Sequence, residues 1–157
     1  MNRFLLLLLL ALPGWSLAQT YVYDDQRMFY SDIAYTINGG HITEGNSIMW
    51  NDAILTVHNG KIFQGFSTST FDLLMSSDQK HIYEGDSQFS FDILYTIENG
   101  TIYPGDTTFP LDALYTYSNG VIYKGKSTFF SDAVLWLQGP PLSMTEVVAL
   151  LMVSGKM

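Results

Sequence analysis

The 157-residue chain contains no cysteine and carries 15 acidic against 7 basic residues, which gives a formal net charge of −8. The absence of Cys excludes a disulfide framework and a cysteine-linked lipid anchor, and the acidic balance argues against binding to nucleic acid or anionic lipid. Aromatic residues make up 15% of the chain and charged residues 14%, so we expect part of the aromatic surface to serve binding.

Residues 1–18 have the layout of a secretory signal peptide. Arg3 precedes an apolar run from Phe4 to Leu12, and small residues end the segment at Ala18. The run covers roughly 14 Å, well short of the ~30 Å hydrocarbon core of a bilayer. The sequence therefore predicts cleavage after Ala18, a secreted or periplasmic protein and no transmembrane segment. Loss of Arg3 with the signal leaves a mature charge of −9.

The segment 19–31 is rich in aromatic and acidic residues, and we predict that it caps the N-terminal end of a repeat domain. That domain, residues 32–139, has a period of twenty, which is typical of copies that stack on one another. The Asp column is Asp32, Asp52, Asp72, Asp92, Asp112 and Asp132. The Gly column is Gly45, Gly65, Gly85, Gly105 and Gly125, and the Ile column is Ile42, Ile62, Ile82, Ile102 and Ile122. A hydroxyl column comprises Ser47, Ser67, Ser87, Thr107 and Ser127.

Each copy is predicted to be a β-hairpin. Asn-Gly pairs such as Asn99-Gly100 supply the two positive-φ residues of a type I′ turn. This turn pairs Ile97 with Ile102 and Thr96 with Tyr103 and places the two pairs on opposite faces. In the third copy Gln79-Lys80 replaces Asn-Gly, which predicts a turn of a different shape.

The hairpin faces separate core residues from candidate binding residues. The face that carries the Ile column is apolar in nearly every copy, so it is expected to form the core. The other face alternates aromatic rings with hydroxyls and could stack on sugar rings or on an apolar partner surface. These candidate ligand-binding residues are Phe63, Tyr83, Tyr103, Tyr123, Thr56, Thr96 and Thr116. The alternative is that the rings pack over the sheet or against the longer connections.

Isolated hairpins are marginal in water, so the copies must cover one another. We expect an all-β array of five and a half 20-residue hairpin repeats, either a β-solenoid or a long twisted meander. A propeller is less favoured because a blade needs roughly forty residues. Residues 140–157 are predicted to form a C-terminal capping helix, with a capping box at Ser143 and Glu146 and a terminating Gly155. An interfacial or partner-binding helix is the alternative.

The polar columns offer no catalytic constellation, and we expect neither enzymatic activity nor a cofactor. A ladder of Asp carboxylates could bind Ca²⁺. We favour the interpretation that each Asp binds local backbone or the Ser/Thr five residues before it. His41 and His81 each begin a His-x-x-Glu, but positions three apart on a strand face opposite ways, so no metal site is predicted. For an enzyme, Arg27 would be the first charged residue to test.

The segment "LYTIENGTIYPG" resembles the choline-binding and glucan-binding cell-wall repeats. Asn99, Gly100, Ile102 and Gly105 fall on their turn, apolar and glycine positions, and the resemblance covers residues 30 to 138. It implies a solenoid of hairpins that binds a cell-wall or surface polymer. That family has Trp after the repeat Gly, where this chain has Asn46, Phe66, Asp86, Asp106 and Lys126. Choline recognition is therefore not implied. Tyr103 and Gly105 after Asn-Gly also look like the MORN repeat.

These observations favour a secreted or periplasmic, non-enzymatic repeat protein that binds a glycan or an envelope protein through its Tyr/Thr face. The alternative is a structural protein that self-associates through strand edges into a fibre.

Overall fold

A computed structural model of the protein describes residues 18–157, so the predicted signal peptide lies outside the described residues except for Ala18. The strands are β1 (Gln19–Tyr23), β2 (Ile33–Asn38), β3 (His41–Glu44), β4 (Ala53–His58), β5 (Lys61–Gln64), β6 (Leu73–Ser77), β7 (His81–Glu84), β8 (Ile93–Glu98), β9 (Thr101–Pro104), β10 (Tyr115–Ser118), β11 (Val121–Lys124) and β12 (Ala133–Gln138). One helix follows, α1 (Met144–Val153). Six 3₁₀ turns end the long connections: Tyr30–Asp32, Trp50–Asp52, Thr70–Asp72, Ser90–Asp92, Pro110–Asp112 and Phe130–Asp132.

The hairpin register is the one that the turn residues predict. Ile97 pairs with Ile102 and Thr96 pairs with Tyr103 in β8 and β9. Asn99 and Gly100 both have positive φ, 50° and 77°, as a type I′ turn requires. The Ile column faces the core, since Ile102 and its equivalents in the other copies are completely buried. The prediction of a hairpin in each copy is confirmed.

The array of hairpins closes on itself, which corrects the expected β-solenoid. The strands pair in chain order, as in the expected meander, but the meander is closed into a barrel. All twelve strands form one antiparallel barrel, in which β1 pairs with β12. Tyr21 lies opposite Gln138, and Tyr23 lies opposite Trp136. The half copy at the end of the repeat domain is thus completed by the first strand of the described chain. Residues 19–23 are a barrel strand rather than part of an end cap, because a closed barrel has no terminal hairpin to cover.

The register of successive copies explains the closure. His41 of β3 is level with Thr56 of β4, which is level with Phe63 of β5. Each copy is therefore displaced by two residues along the strand from the copy before it. With strands about 4.8 Å apart and about 3.3 Å per residue, this displacement tilts the strands by roughly 35°. Twelve strands at that tilt close into a barrel about 22 Å across between backbones.

Helix α1 fills the interior of this barrel. Five consecutive residues, Val147 to Leu151, have no exposed surface, although successive residues point to different sides of a helix. They share one core cluster with the inward-facing residues Val22, Ile42, Ile82 and Ile122 from around the barrel. A helix about 10 Å in diameter, surrounded by one layer of side chains, fits the space that the barrel leaves. The helix is therefore a central plug and not a lid on the last hairpin.

Both ends of the plug are tied to the barrel wall by tyrosine hydroxyls. At the C-terminal end, Tyr35 donates to the carbonyl of Val153 at 3.1 Å and Tyr115 donates to the carbonyl of Lys156 at 2.7 Å. At the N-terminal end, the backbone N–H of Leu142 donates to the Tyr117 hydroxyl. The Tyr35 bond satisfies a carbonyl of the last helical turn, which has no partner within the helix, and the other two bonds fix the segments just outside the helix.

The ends of the helix follow the predicted signals. Ser143 and Glu146 form the capping box, each bonding the backbone N–H of the other. Gly155, with φ of 66°, lies just beyond the last helical turn. Within residues 18–157, no helix combines the length and apolarity needed to cross a membrane.

The third hairpin has the exceptional turn that its sequence predicts. Gln79 alone adopts positive φ there, and the Asp78 carboxylate accepts hydrogen bonds from the backbone N–H groups of Lys80 and His81 and from the Tyr83 hydroxyl. Burial acts to raise the pKa of Asp78, but the bonds from Tyr83, His81 and Lys80 outweigh it and hold that pKa well below its ordinary value. A carboxylate thus organises this turn in place of Asn-Gly.

Candidate functional site

The Tyr/Thr face expected to bind a ligand is covered by the long connections. Phe63, Tyr83 and Tyr103 are 4%, 6% and 0% exposed, and Tyr123 is half-buried. Side chains that the connections cover cannot contact a polymer or a partner surface. Their burial agrees with the alternative considered for these rings, that they pack over the sheet or against the longer connections.

The threonines of the same face hold the connections in place. Thr56, Thr96 and Thr116 are also buried. Each donates its hydroxyl hydrogen bond, at 2.7–2.8 Å, to the carbonyl of the repeat glycine nine residues on. A buried hydroxyl needs such a partner. Their regular spacing therefore reflects a structural bond that recurs in each copy.

The residues of the Asp column stabilise the long connections through hydrogen bonds within each connection. The hydroxyls of Ser47, Ser67 and Ser87 donate to the Asp carboxylate five residues later at 2.5–2.7 Å. Ser127 and Asp132 make the same bond. In the fourth copy, Thr107 accepts from the backbone N–H of Phe109. In the described part of the chain, no three His, Asp or Glu residues are grouped as metal ligands would be.

The histidines and the arginine singled out from the sequence have local partners. His41 contacts the Thr56 hydroxyl at 3.0 Å and the ring of Phe66, and burial lowers its pKa. His81 joins the Asp78 turn. Arg27 pairs with Asp25 at 2.9 Å, and this hydrogen bond lowers the pKa of Asp25. The Arg27–Asp25 pair lies at the exposed surface.

The large exposed apolar side chains of the protein lie mainly on the six long connections, and we call those within the four residues before the Asp of each connection the rim. It comprises Met28, Phe29, Tyr30, Ile48, Met49, Trp50, Phe71, Phe89, Phe91, Phe109, Leu111, Phe129 and Phe130. Every member is at least 41% exposed, and Phe71, Leu111 and Phe91 reach 97%, 86% and 81%. Such exposure costs solvation free energy that folding alone does not require.

The architecture gives the rim its shape. All six connections join strands at the same end of the barrel, opposite the hairpin turns. Equivalent residues of neighbouring copies are two strands apart, which is about 12 Å along the barrel wall at the strand tilt given above. Together the rim exposes on the order of 1,700 Å² at about 200 Å² for each side chain. This area is spread over six connections, whereas the largest contiguous apolar patch on an ordinary monomer is about 300–600 Å².

The rim is apolar because the polar groups near it are engaged. The Asp carboxylates of the connections accept from the Ser hydroxyls described above. Phe89 and Phe91 stack in parallel at 5.3 Å between ring centroids. Trp50 packs beside Phe66, with centroids 6.1 Å apart. The surface thus offers rings and aliphatic groups with few unpaired hydrogen-bonding groups.

The sequence contains a signal for the rim, but the rim residues do not recur at one fixed position of the repeat. Bulky apolar residues recur in the three positions before the Asp of each copy, but they shift by one or two residues between copies, as in Trp50, Phe71 and Phe89. A column that changes register looks like an unstructured connection. The signal is composition, since connections are ordinarily polar.

Comparison with known proteins matches the chain to one family of repeat proteins. A family model described as "6-fold beta flower protein" matches residues 22–151. No curated protein and no solved structure matches the chain. The family match supports a repeat-based β protein and gives no support to the resemblance to choline-binding or MORN repeats.

Proposed function

Since the chain belongs to the 6-fold beta flower protein family, we propose that the six-fold array carries a non-enzymatic binding function and that the rim docks onto an apolar surface of a partner protein. In this proposal the protein is secreted or periplasmic and the partner is an envelope protein. The observation that carries the proposal is the exposure of Phe71, Phe91 and Leu111 on a scaffold that buries its other large apolar columns.

The size and chemistry of the rim favour a protein partner. A specific interface buries about 800 Å² on each side, with aromatic residues enriched at its centre. Half of the rim would supply that area. The rigid Thr–Gly and Ser–Asp bonds fix the connections before binding, which reduces the entropy lost on association.

A surface polymer is the second candidate. Tyr30 and Trp50 are 66% and 62% exposed, and both rings combine an apolar face with a polar group, as sugar-stacking residues do. Self-assembly into a fibre through strand edges has less support, because every strand of the described barrel is paired on both sides. Self-association would have to use the rim.

The experiment compares the mature protein with a triple variant, Phe71→Ser, Phe91→Ser and Leu111→Ser. Each immobilised protein is exposed to an envelope extract of the producing cell, and the bound proteins are identified and quantified by mass spectrometry. We expect the triple variant to capture at least tenfold less of the partner than the unmodified protein captures. It should fold normally, because side chains this exposed contribute little to the core.

The matched control is Ile54→Ser, which removes an apolar side chain, 38% exposed, from outside the rim. It should capture the partner like the unmodified protein. Equal capture by the triple variant would contradict the proposal. Cosedimentation with protein-free envelope polysaccharide tests the polymer, and sedimentation velocity over a concentration series tests rim-dependent self-association.

A further inference from the structure

The six copies are not equivalent at the end of the barrel where the connections lie. Between β3 and β4 the strand ladder extends to the pair Thr43 and Ala53. Between β9 and β10 it stops at Tyr115 and Ile102, because β10 begins two residues later than the equivalent strand β4. The Leu114 N–H still donates to the Ile102 carbonyl at 2.8 Å, so the wall continues at the fifth copy but its strand pairing is irregular there.

A cavity of about 570 Å³ lies at this place. The residues that line it include Tyr95, Leu114, Tyr115 and Met157. Ligand pockets for small molecules have volumes of about 300–1,000 Å³ and often occupy the mouths of barrels. The cavity is thus large enough for a small ligand with an apolar body.

Two lysines, Lys124 and Lys156, are among the residues that line the same cavity. Among the described residues, ion pairs engage Lys61 and Arg27 but neither of these two lysines. The one acidic side chain among the lining residues belongs to Asp132, which accepts a hydrogen bond from Ser127. The cavity is therefore lined by apolar residues and by two lysines that form no ion pair among the described residues.

The position of Lys124 is cationic in this copy alone among the described residues. At intervals of twenty, the equivalent residues are Asp24, Glu44, Gln64, Glu84 and Pro104. Elsewhere at the mouth the charge is negative: burial, together with Asp24 and Glu44, raises the pKa of Tyr35. An anion at the mouth would be repelled from the first copy and attracted to the fifth.

We propose that this cavity between β10, β11 and the segment after α1 is a binding site for a small organic anion with an apolar body, whose anionic group contacts Lys124 and Lys156. The apolar body lies against Leu114, Met157 and the Tyr95 and Tyr115 rings. This site is separate from the rim, and the proposal does not depend on the rim function.

The test measures the binding of decanoate to the mature protein by isothermal titration calorimetry. Decyltrimethylammonium, which has the same chain and the opposite charge, is the comparison ligand. We expect decanoate to bind and decyltrimethylammonium not to bind. The double variant Lys124→Gln and Lys156→Gln should weaken decanoate binding at least tenfold. Lys126→Gln, which removes an exposed lysine from outside the cavity wall, should leave it unchanged.

Three results would overturn the proposal: no decanoate binding, equal binding of the cationic ligand, or unchanged affinity in the double variant. The triple rim variant provides a further distinction, since it should bind decanoate like the unmodified protein. A decanoate site lost with the rim residues would be part of the rim and would refute a separate cavity site.

Discussion

The position of α1 inside the barrel predicts that every side of the helix is intolerant of truncation. Val148 and Leu150 are two residues apart, so their side chains point about 200° apart around the helix axis. Both are completely buried. A lid would bury one of these sides and leave the other in water, whereas a plug buries both. Substitution of each residue by Ala therefore distinguishes the two arrangements.

The expected magnitudes follow from burial. Leu150→Ala removes three buried carbons at about 0.8 kcal/mol each and leaves a cavity that costs roughly 1.5 kcal/mol more, so we expect a loss of about 4 kcal/mol. Val148→Ala removes two carbons and should cost about 2.5 kcal/mol. Leu111→Ala makes the same chemical change as Leu150→Ala at a residue that is 86% exposed, and it should cost less than about 0.5 kcal/mol.

The free energy of unfolding is measured by urea denaturation of the mature protein, with the slope compared between variants to verify that the transition stays cooperative. A cost near that of Leu111→Ala for either helix variant would refute the placement of α1 in the barrel interior. Losses at both positions, on opposite sides of the helix, would support it.

Two further predictions concern closure and the hairpin turns. Tyr21 and Gln138 face each other where β1 pairs with β12. If both are replaced by cysteine, oxidation should form an intramolecular disulfide, because paired strand residues lie within disulfide reach. If mass spectrometry finds disulfides only between chains, this would contradict closure. In urea denaturation, Gly40→Ala should destabilise the protein by about 2 kcal/mol more than Gly85→Ala. Both glycines have positive φ, but only at Gly40 would a Cβ collide with the backbone carbonyl of Val57. Equal losses of stability in the two variants would contradict that contact.

The sequence predicted the parts of the fold that are set within one copy. The Asn99-Gly100 turn fixes which residues pair, and alternation then assigns Ile102 to the core and Tyr103 to the opposite face. The capping signals of α1 are equally local. These features depend on contacts among residues that are at most about twenty positions apart.

Closure could not be read in the same way because it depends on the angle between copies, which no single copy encodes. A signal was nevertheless present. Val22 and Tyr23 occupy the Ile and aromatic columns when the period is continued backwards by one copy, so the N-terminal strand is the missing half of the last hairpin. The same limit applies to the ligand-binding residues, since alternation separates the two faces of a hairpin but does not show that a connection covers Tyr103.

The last hairpin of the barrel is formed by β12 and β1, which are far apart in the chain, and this affects how the protein folds. Tyr23 and Gln138, joined by a side-chain hydrogen bond across the seam, are 115 positions apart along the chain. Since α1 follows β12 in the chain, the barrel must close around the helix when β1 pairs with β12. Assembly must therefore wait for almost the entire polypeptide, and contacts this distant in sequence are characteristic of folding in milliseconds to seconds.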